Sequence, residues 1–290
     1  MTFVSRLGRI IGLLCLAAAL AACSAIKLGY NTLDDVAYWW LDSYVDFTDE
    51  QAERVREDLA RLHQWHRASE LPQFAALLAG MEQQAAGDVT PAQACTVFNQ
   101  FRARLDAVAD RAEPAVVTLA TGLAPEQVAH LERRYEKNNA AYRKDWILLP
   151  RPEQVDKRFK QFLERAEMVY GTLEEPQRKV LRTQIEGSVF DPKKTLAERQ
   201  RRQRDLLQTL RRIAGTSVSF GEARGLLRTY LDRMREPPDA AARAYQQALI
   251  NEGCAFLATL HNSISGAQRE AAVRRLRAYQ RDVRELAAQP

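Results

Sequence analysis

Apolar residues recur at helical spacing along almost the whole chain. Side chains three and four positions apart lie on one face of a helix. The clearest stripes are Leu33-Val36-Ala37-Trp40-Leu41-Tyr44, Ala52-Val55-Leu59-Leu62-His66, Val155-Phe159-Phe162-Ala166-Val169 and Ala223-Leu226-Leu227-Tyr230-Leu231-Met234. No convincing stretch alternates between apolar and polar positions, as a half-buried strand would. The sequence therefore predicts an all-α fold of long antiparallel helices, arranged as a bundle or as an elongated array.

A helix-start signal recurs six times. Each copy places a cap residue three positions before a Gln or Glu, whose side chain can reach back to the cap's own amide. The predicted caps are Thr48, Thr90, Ala124, Glu174, Ser219 and Ser265. Their spacing is irregular, which favours shared capping chemistry over a repeated unit, although duplication stays open.

The first 22 residues have the pattern of a secretory signal peptide. Arg6 and Arg9 precede an apolar run from residue 10 to residue 22, too short to cross a bilayer, which takes about 20 residues. The junction Leu20-Ala21-Ala22-Cys23 resembles the bacterial lipobox, in which the Cys thiolate accepts the lipid. We expect Cys23 to be the lipid-modified first residue of the mature chain. The alternative is an ordinary signal with a chance Cys.

This pattern divides the chain into a signal peptide (1–22), a lipidated Cys with a short tether (23–31) and an all-helical periplasmic domain (32–290). Two or three acyl chains anchor a protein firmly. Ser24 stands where Asp would direct retention at the inner membrane, and by resemblance to lipoprotein sorting it favours the outer membrane. We expect a protein held on the periplasmic face of that membrane, with the covalent lipid and no other cofactor.

The charge balance argues against a nucleic-acid partner. The formal net charge is +5, and removing Arg6 and Arg9 with the signal leaves a mildly basic chain. Hydrophobic residues make up 46% of the sequence, enough for a packed core. Charge runs such as 199–205 are interpreted as solvated helix faces.

Two of the four cysteines are left once Cys15 is removed with the signal and Cys23 carries lipid. The periplasm is oxidising, so Cys95 and Cys254 are candidates for a disulfide. The alternative is two separate buried thiols.

His63, His66 and Glu70 are the candidate metal ligands. At positions i, i+3 and i+7 they share one helix face and could bind a divalent cation. His130 and His261 stand alone elsewhere, so no second cluster completes a shell, and no metal site is favoured. The alternative is that His66 ends an apolar stripe and hydrogen-bonds Glu70 or a neighbouring helix. No hydrolase, P-loop or dinucleotide motif is present.

The densest aromatic cluster lies just after the predicted anchor. Trp40 and Tyr44 belong to the first apolar stripe and are expected in the core. Tyr38 and Trp39 point away from that stripe and are candidates for contact with the membrane or a partner, since aromatic rings favour the head-group level. The alternative is a second helix packing over them.

Two resemblances can be named. Gly29-Tyr30-Asn31, Tyr38-Trp39-Trp40-Leu41-Asp42, His63-Gln64-Trp65-His66-Arg67 and Glu70-Leu71-Pro72 resemble the start of an uncharacterised proteobacterial lipoprotein family, a domain of unknown function. Thr48-x-x-Gln51 and Thr90-x-x-Gln93 resemble the L-T-x-x-Q motif of Spy-type periplasmic chaperones, with Phe47 and Val89 in place of Leu. The second resemblance implies a helical, ATP-independent chaperone.

The leading functional hypothesis is a non-enzymatic envelope protein that presents helix faces to a protein partner or client, as a scaffold or chaperone. One alternative is a metal-dependent envelope hydrolase that uses His63, His66 and Glu70. The other is a protein that binds lipid or another amphiphile between helices.

Overall fold

The computed structural model of the chain describes residues 26–215 and 218–289; the predicted signal peptide, Cys23 and Ser24 lie outside them. After a helical segment at 26–31, the described residues form eleven α-helices and no strand, which confirms the predicted all-α fold. They are α1 (Leu33–Val45), α2 (Asp49–Trp65), α3 (Leu71–Ala85), α4 (Pro91–Thr121), α5 (Pro125–Tyr142), α6 (Arg151–Tyr170), α7 (Glu175–Glu186), α8 (Pro192–Ala214), α9 (Phe220–Arg235), α10 (Ala240–Ser263) and α11 (Gly266–Ala287). Single π-helical turns follow α2 (His66–Glu70) and α5 (Arg143–Ile147).

All six predicted helix starts are confirmed. At each one, the Gln or Glu three residues into the helix accepts a hydrogen bond from the backbone N–H of the cap residue. Four caps also accept the N–H of that third residue through a hydroxyl; they are Thr48, Thr90, Ser219 and Ser265. Each reciprocal pair satisfies donors that a helix end otherwise leaves free.

Four of these capping glutamines also join helix starts in pairs. Gln51 and Gln127 exchange amide hydrogen bonds of 3.2 and 2.6 Å between the starts of α2 and α5. Gln177 and Gln268 do the same at 2.7 and 2.8 Å between the starts of α7 and α11. Each side-chain amide also donates to a backbone carbonyl three residues ahead of its partner's helix. The same side chain therefore caps one helix and fixes the position of another.

The helices enclose two main hydrophobic cores. The first lies among α4, α5, α8 and α9 around Val117, Leu131 and Ile213. The second lies among α6, α7 and α10 around Leu181 and Ile185. The long helix α4 belongs to both halves, since its carboxyl half contributes to the first core and its amino half packs on α10.

The last helix runs antiparallel along α3. Glu82 near the end of α3 accepts hydrogen bonds from Arg277 and Gln280 near the middle of α11. At the opposite end, the Arg67 guanidinium donates to the backbone carbonyl of Leu286. Among the helices of the described ranges, none combines the length and apolar character needed to cross a membrane.

Candidate functional site

Helix α1 presents a row of large apolar side chains to solvent. Trp39 is 66% exposed and Trp40 59%, and Leu28, Leu33 and Val36 add to the same surface. Exposed apolar groups that lie together mark an interaction site more often than isolated ones do. We call these five residues the α1 apolar surface.

The opposite side of α1 is buried, and here two expectations are wrong. Tyr38 is only 6% exposed and packs with Ala52 and Val55 of α2, so it is unavailable to a membrane or partner. Trp40, expected in the core, is on the surface beside Trp39. Apolar residues occupy so much of the circumference of α1 that a single buried side cannot take them all. The buried side is therefore rotated from the predicted stripe.

The segment at 26–31 is fixed to the body of the protein. Lys27 pairs with the carboxylates of Asp282, at 3.7 Å, and Glu285, both on α11. Asp282 is only 1% exposed, so this cation compensates a buried charge. Asn31 accepts a hydrogen bond of 2.9 Å from Arg67. Much of the expected tether at 23–31 is thus an ordered part of the fold.

Two of the candidate metal ligands, His63 and His66, contact the segment at 26–31 through Tyr30. His66 Nδ1 lies 2.9 Å from the hydroxyl of Tyr30, and the ring of His63 lies 4.7 Å from the ring of Tyr30. Burial is the main cause that lowers the pKa of His66 and raises the pKa of Tyr30 to about 12. At neutral pH both groups are therefore uncharged, which suits a hydrogen bond inside a packed contact.

The structure does not assemble these residues into a metal site. His63 faces Asp34 at 3.5 Å, and the buried carboxylate of Glu70 faces Arg104 at 3.6 Å. Within the described ranges, no group of three or more His, Cys, Asp or Glu side chains is placed to hold a metal ion. His130 and His261 are separate, as expected: His130 meets the Ser43 carbonyl, and His261 meets the Gly87 carbonyl at 2.8 Å.

A π-helical turn sets the direction of these side chains. His66–Glu70 interrupts an otherwise continuous helix from α2 into α3, and Pro72 follows directly. Proline has no N–H to give to the preceding turn, so the helix widens ahead of it. The wider turn places His66 toward Tyr30 and Glu70 toward Arg104.

Cys95 and Cys254 form a disulfide between the amino end of α4 and α10. Asn262 lies about two helical turns after Cys254 along α10. Its side-chain amide exchanges hydrogen bonds with the backbone N–H and C=O of Val89, at 2.8 and 3.0 Å. The start of α4 is thus joined to α10 covalently and by hydrogen bonds.

A second feature is an open cleft between α8 and α10, with a volume of about 780 Å³. Its lining includes Tyr135 of α5 and Tyr230 of α9. Several residues of the run 199–205 line it too, so the interpretation of that run as only a solvated face is incomplete. The basic lining residues all lie on α8, whereas the aromatic ones come from α5, α9 and α10, so no single segment carries the whole pattern.

A family model covers most of this architecture. The model of a family of unknown function, DUF6279, matches residues 43–222, more than half of the chain. The chain belongs to this family. No curated protein and no solved structure matches it. The DUF6279 match confirms the resemblance to an uncharacterised family, while the similarity to Spy-type chaperones stays a prediction.

The DUF6279 match divides the candidate features. It contains α2, both π-helical turns and α8, and it ends at Glu222, shortly after α9 begins. Leu28, Trp39 and Trp40 lie ahead of it, and α10, with part of the cleft wall and Cys254, lies after it. The α1 apolar surface and the complete cleft are therefore features of this chain beyond the family match.

Proposed function

We propose that this DUF6279 chain is a lipoprotein of the outer membrane, anchored through Cys23, with a non-enzymatic role as a scaffold or chaperone at the periplasmic face. The α1 apolar surface, which begins five residues after Cys23, carries the proposal. Among the described residues, no other group of exposed large apolar side chains lies as near to Cys23 in the sequence.

The proposed arrangement places α1 along the membrane interface. Trp39 and Trp40 suit the head-group level, where an amphipathic ring has one side apolar and one side hydrated. Leu28 and Val36 would lie against the acyl boundary beside them. Covalent lipid plus an apolar helix face gives two membrane contacts, a combination that anchors more stably than a single chain.

The contacts of the segment at 26–31 would orient the protein on its anchor. Lys27, Tyr30 and Asn31 hold this segment to α11 and to the first π-helical turn. A lipid a few residues earlier would then fix which side of the helical array faces the membrane. The remaining helices would be presented to partners or clients in the periplasm.

The disulfide and the histidine contacts support this function over the metal-dependent hydrolase. A Cys95–Cys254 disulfide suits an oxidising compartment such as the periplasm. The side chains that could have served metal chemistry are engaged in contacts that hold the segment at 26–31 and α4. Their geometry favours a structural role.

Metabolic labelling with radioactive palmitate, followed by membrane fractionation, tests the anchor. We expect the full chain to be labelled and to sediment with the outer membrane, and Cys23→Ala to remain unlabelled. An unlabelled full chain, or one that fractionates with the cytosol, would overturn the proposal.

Tryptophan quenching by brominated lipids tests the α1 apolar surface in the lipidated protein. We expect quenching that is lost in the double variant Trp39→Phe/Trp40→Phe, leaving the signal of Trp65 and Trp146. The matched control is Leu148→Ser, which changes another highly exposed apolar residue and should leave quenching unchanged. Equal quenching in the double variant would show that α1 does not face the membrane.

Crosslinking in cells tests the scaffold role. A photoreactive residue at Leu148, remote in sequence from α1, should give reproducible adducts with envelope proteins. Loss of all protein adducts across exposed positions would remove the partner-binding part of the proposal while leaving the anchor intact.

A further inference from the structure

We propose that the cleft between α8 and α10 binds a long-chain fatty acid, with the acyl chain on an apolar floor and the carboxylate among basic side chains at the rim. The proposal stands independently of lipidation at Cys23, because every residue that lines the cleft lies at position 135 or later.

The size and position of the cleft suit a small ligand. Its volume of about 780 Å³ falls within the range typical of small-molecule sites, roughly 300–1,000 Å³. It lies between α8, a helix of the first core, and α10, a helix of the second core. Clefts between separately packed units are common places for ligands.

Aromatic and aliphatic side chains form part of the lining, which we call the floor. Tyr135 and Tyr230 contribute aromatic rings, and Ala242 and Leu249 of α10 add aliphatic surface. Burial raises the pKa of Tyr135 and of Tyr230, so both hydroxyls stay neutral at any physiological pH. An acyl chain would remove this surface from water, at about 25 cal/mol for each Å² of apolar area buried.

The rim is basic. The cationic lining residues are Lys194, Arg199, Arg201, Arg202 and Arg204, against two carboxylates, Glu198 and Asp239. Glu198 is engaged by Arg201 and Arg202, at 2.8 and 2.7 Å. Asp239 accepts the N–H of Ala242 as the cap of α10.

Three rim cations are left without a carboxylate. Lys194, Arg199 and Arg204 have no acidic partner among the described residues, and all three are exposed. Lys194 lies 5.2 Å from the ring of Tyr245, and Arg199 lies 4.6 Å from the ring of Tyr142. Cations beside an apolar floor are complementary to a molecule with one anionic head and one apolar chain.

Binding of the fluorescent fatty acid 11-(dansylamino)undecanoic acid tests the proposal. The protein is the chain from residue 24 onward, which contains every described helix. We expect saturable binding at one site, displacement by oleate, and little displacement by oleyl alcohol, which has the same chain without the charge. Absence of saturable binding would overturn the proposal. Equal displacement by oleyl alcohol would also overturn it, because the basic rim would then have no role.

Matched variants test whether the fatty acid binds in this cleft. Ala197→Trp fills the cleft from α8 and should weaken binding at least about tenfold, whereas Ala140→Trp, on an exposed position of α5 outside the cleft, should not. Circular dichroism confirms that each variant is folded. Equal binding by the two Trp variants would show that the fatty acid binds elsewhere.

Charge reversals locate the carboxylate. Lys194 lies near the start of α8 and Arg204 is almost three turns further along, so they mark the two ends of the basic rim. We expect Lys194→Glu or Arg204→Glu to weaken binding about tenfold, and Arg133→Glu, outside the cleft, to have no effect. Unchanged affinity in both Lys194→Glu and Arg204→Glu would refute the head-group assignment.

Discussion

Reduction of the Cys95–Cys254 disulfide is expected to lower the free energy of unfolding by as much as about 5 kcal/mol. The two cysteines are 159 positions apart, and the chain-entropy model assigns about that value to a closed loop of this length at 25 °C. The value is an upper bound, because a compact unfolded chain gains less freedom when the loop is opened.

The folded state should survive the reduction. Asn262 still bonds both backbone groups of Val89, and Val89 and Ala94 stay packed against α10. The effect is therefore expected in the unfolded ensemble, which becomes less compact and should increase the dependence of unfolding on denaturant.

Urea unfolding of the chain from residue 24, with and without reductant, measures the difference. The double variant Cys95→Ala/Cys254→Ala serves as control, because its midpoint must not respond to the reductant. Free energies of unfolding that agree within about 1 kcal/mol between the oxidised and reduced protein would refute the reasoning.

Three further predictions concern buried polar groups. Gln177→Ala should cost about 2–3 kcal/mol in urea unfolding, because it removes both hydrogen bonds that the buried Gln268 amide shares with Gln177 and also removes the acceptor of the Glu174 N–H. Gln93→Ala, which removes an exposed capping glutamine, should cost about 1 kcal/mol or less, and equal costs would contradict the role of the pair. Hydrogen bonds from Arg228 and Arg224 lower the pKa of Glu113 to about 2, so the unfolded chain binds this proton at a higher pH than the folded chain, and stability is lost as pH falls from about 4.5 toward 2. In Glu113→Gln, the free energy of unfolding should depend less on pH in that window, and an unchanged pH dependence would count against the prediction. Burial lowers the pKa of His261, so the folded protein should lose stability as pH drops below 6.5. His261→Gln should remove part of that loss, which thermal unfolding at pH 7 and pH 5 would measure.

Local rules recovered the fold class and the helix starts. Capping depends on residues three positions apart, so Thr48 with Gln51 and Ser265 with Gln268 could be recognised from the sequence. Which glutamines meet depends on how helices pack, so the pairs Gln51–Gln127 and Gln177–Gln268 could not be predicted.

Neither the α1 apolar surface nor the cleft could be predicted from the sequence, for two different reasons. The predicted orientation of α1 was wrong because apolar residues occupy most of its circumference. The packing of Tyr38 against α2 determines which side is buried. The cleft could not be predicted because it depends on how α8, α9 and α10 pack beside Tyr135 of α5, which is more than 100 residues from Leu249 of α10. A wider count of apolar positions around α1 would have indicated that some must remain exposed.

The two hydrophobic cores are interleaved along the chain. The first core draws on residues 117–131 and 207–227, and the second on residues 155–185 and then Leu260. The stretch that completes the first core therefore also contains most of the second, which lacks only its contribution from α10. Translocation from the amino end would leave the first core incomplete until α9 emerged and the second until α10 emerged, so neither core should form before most of the chain is present.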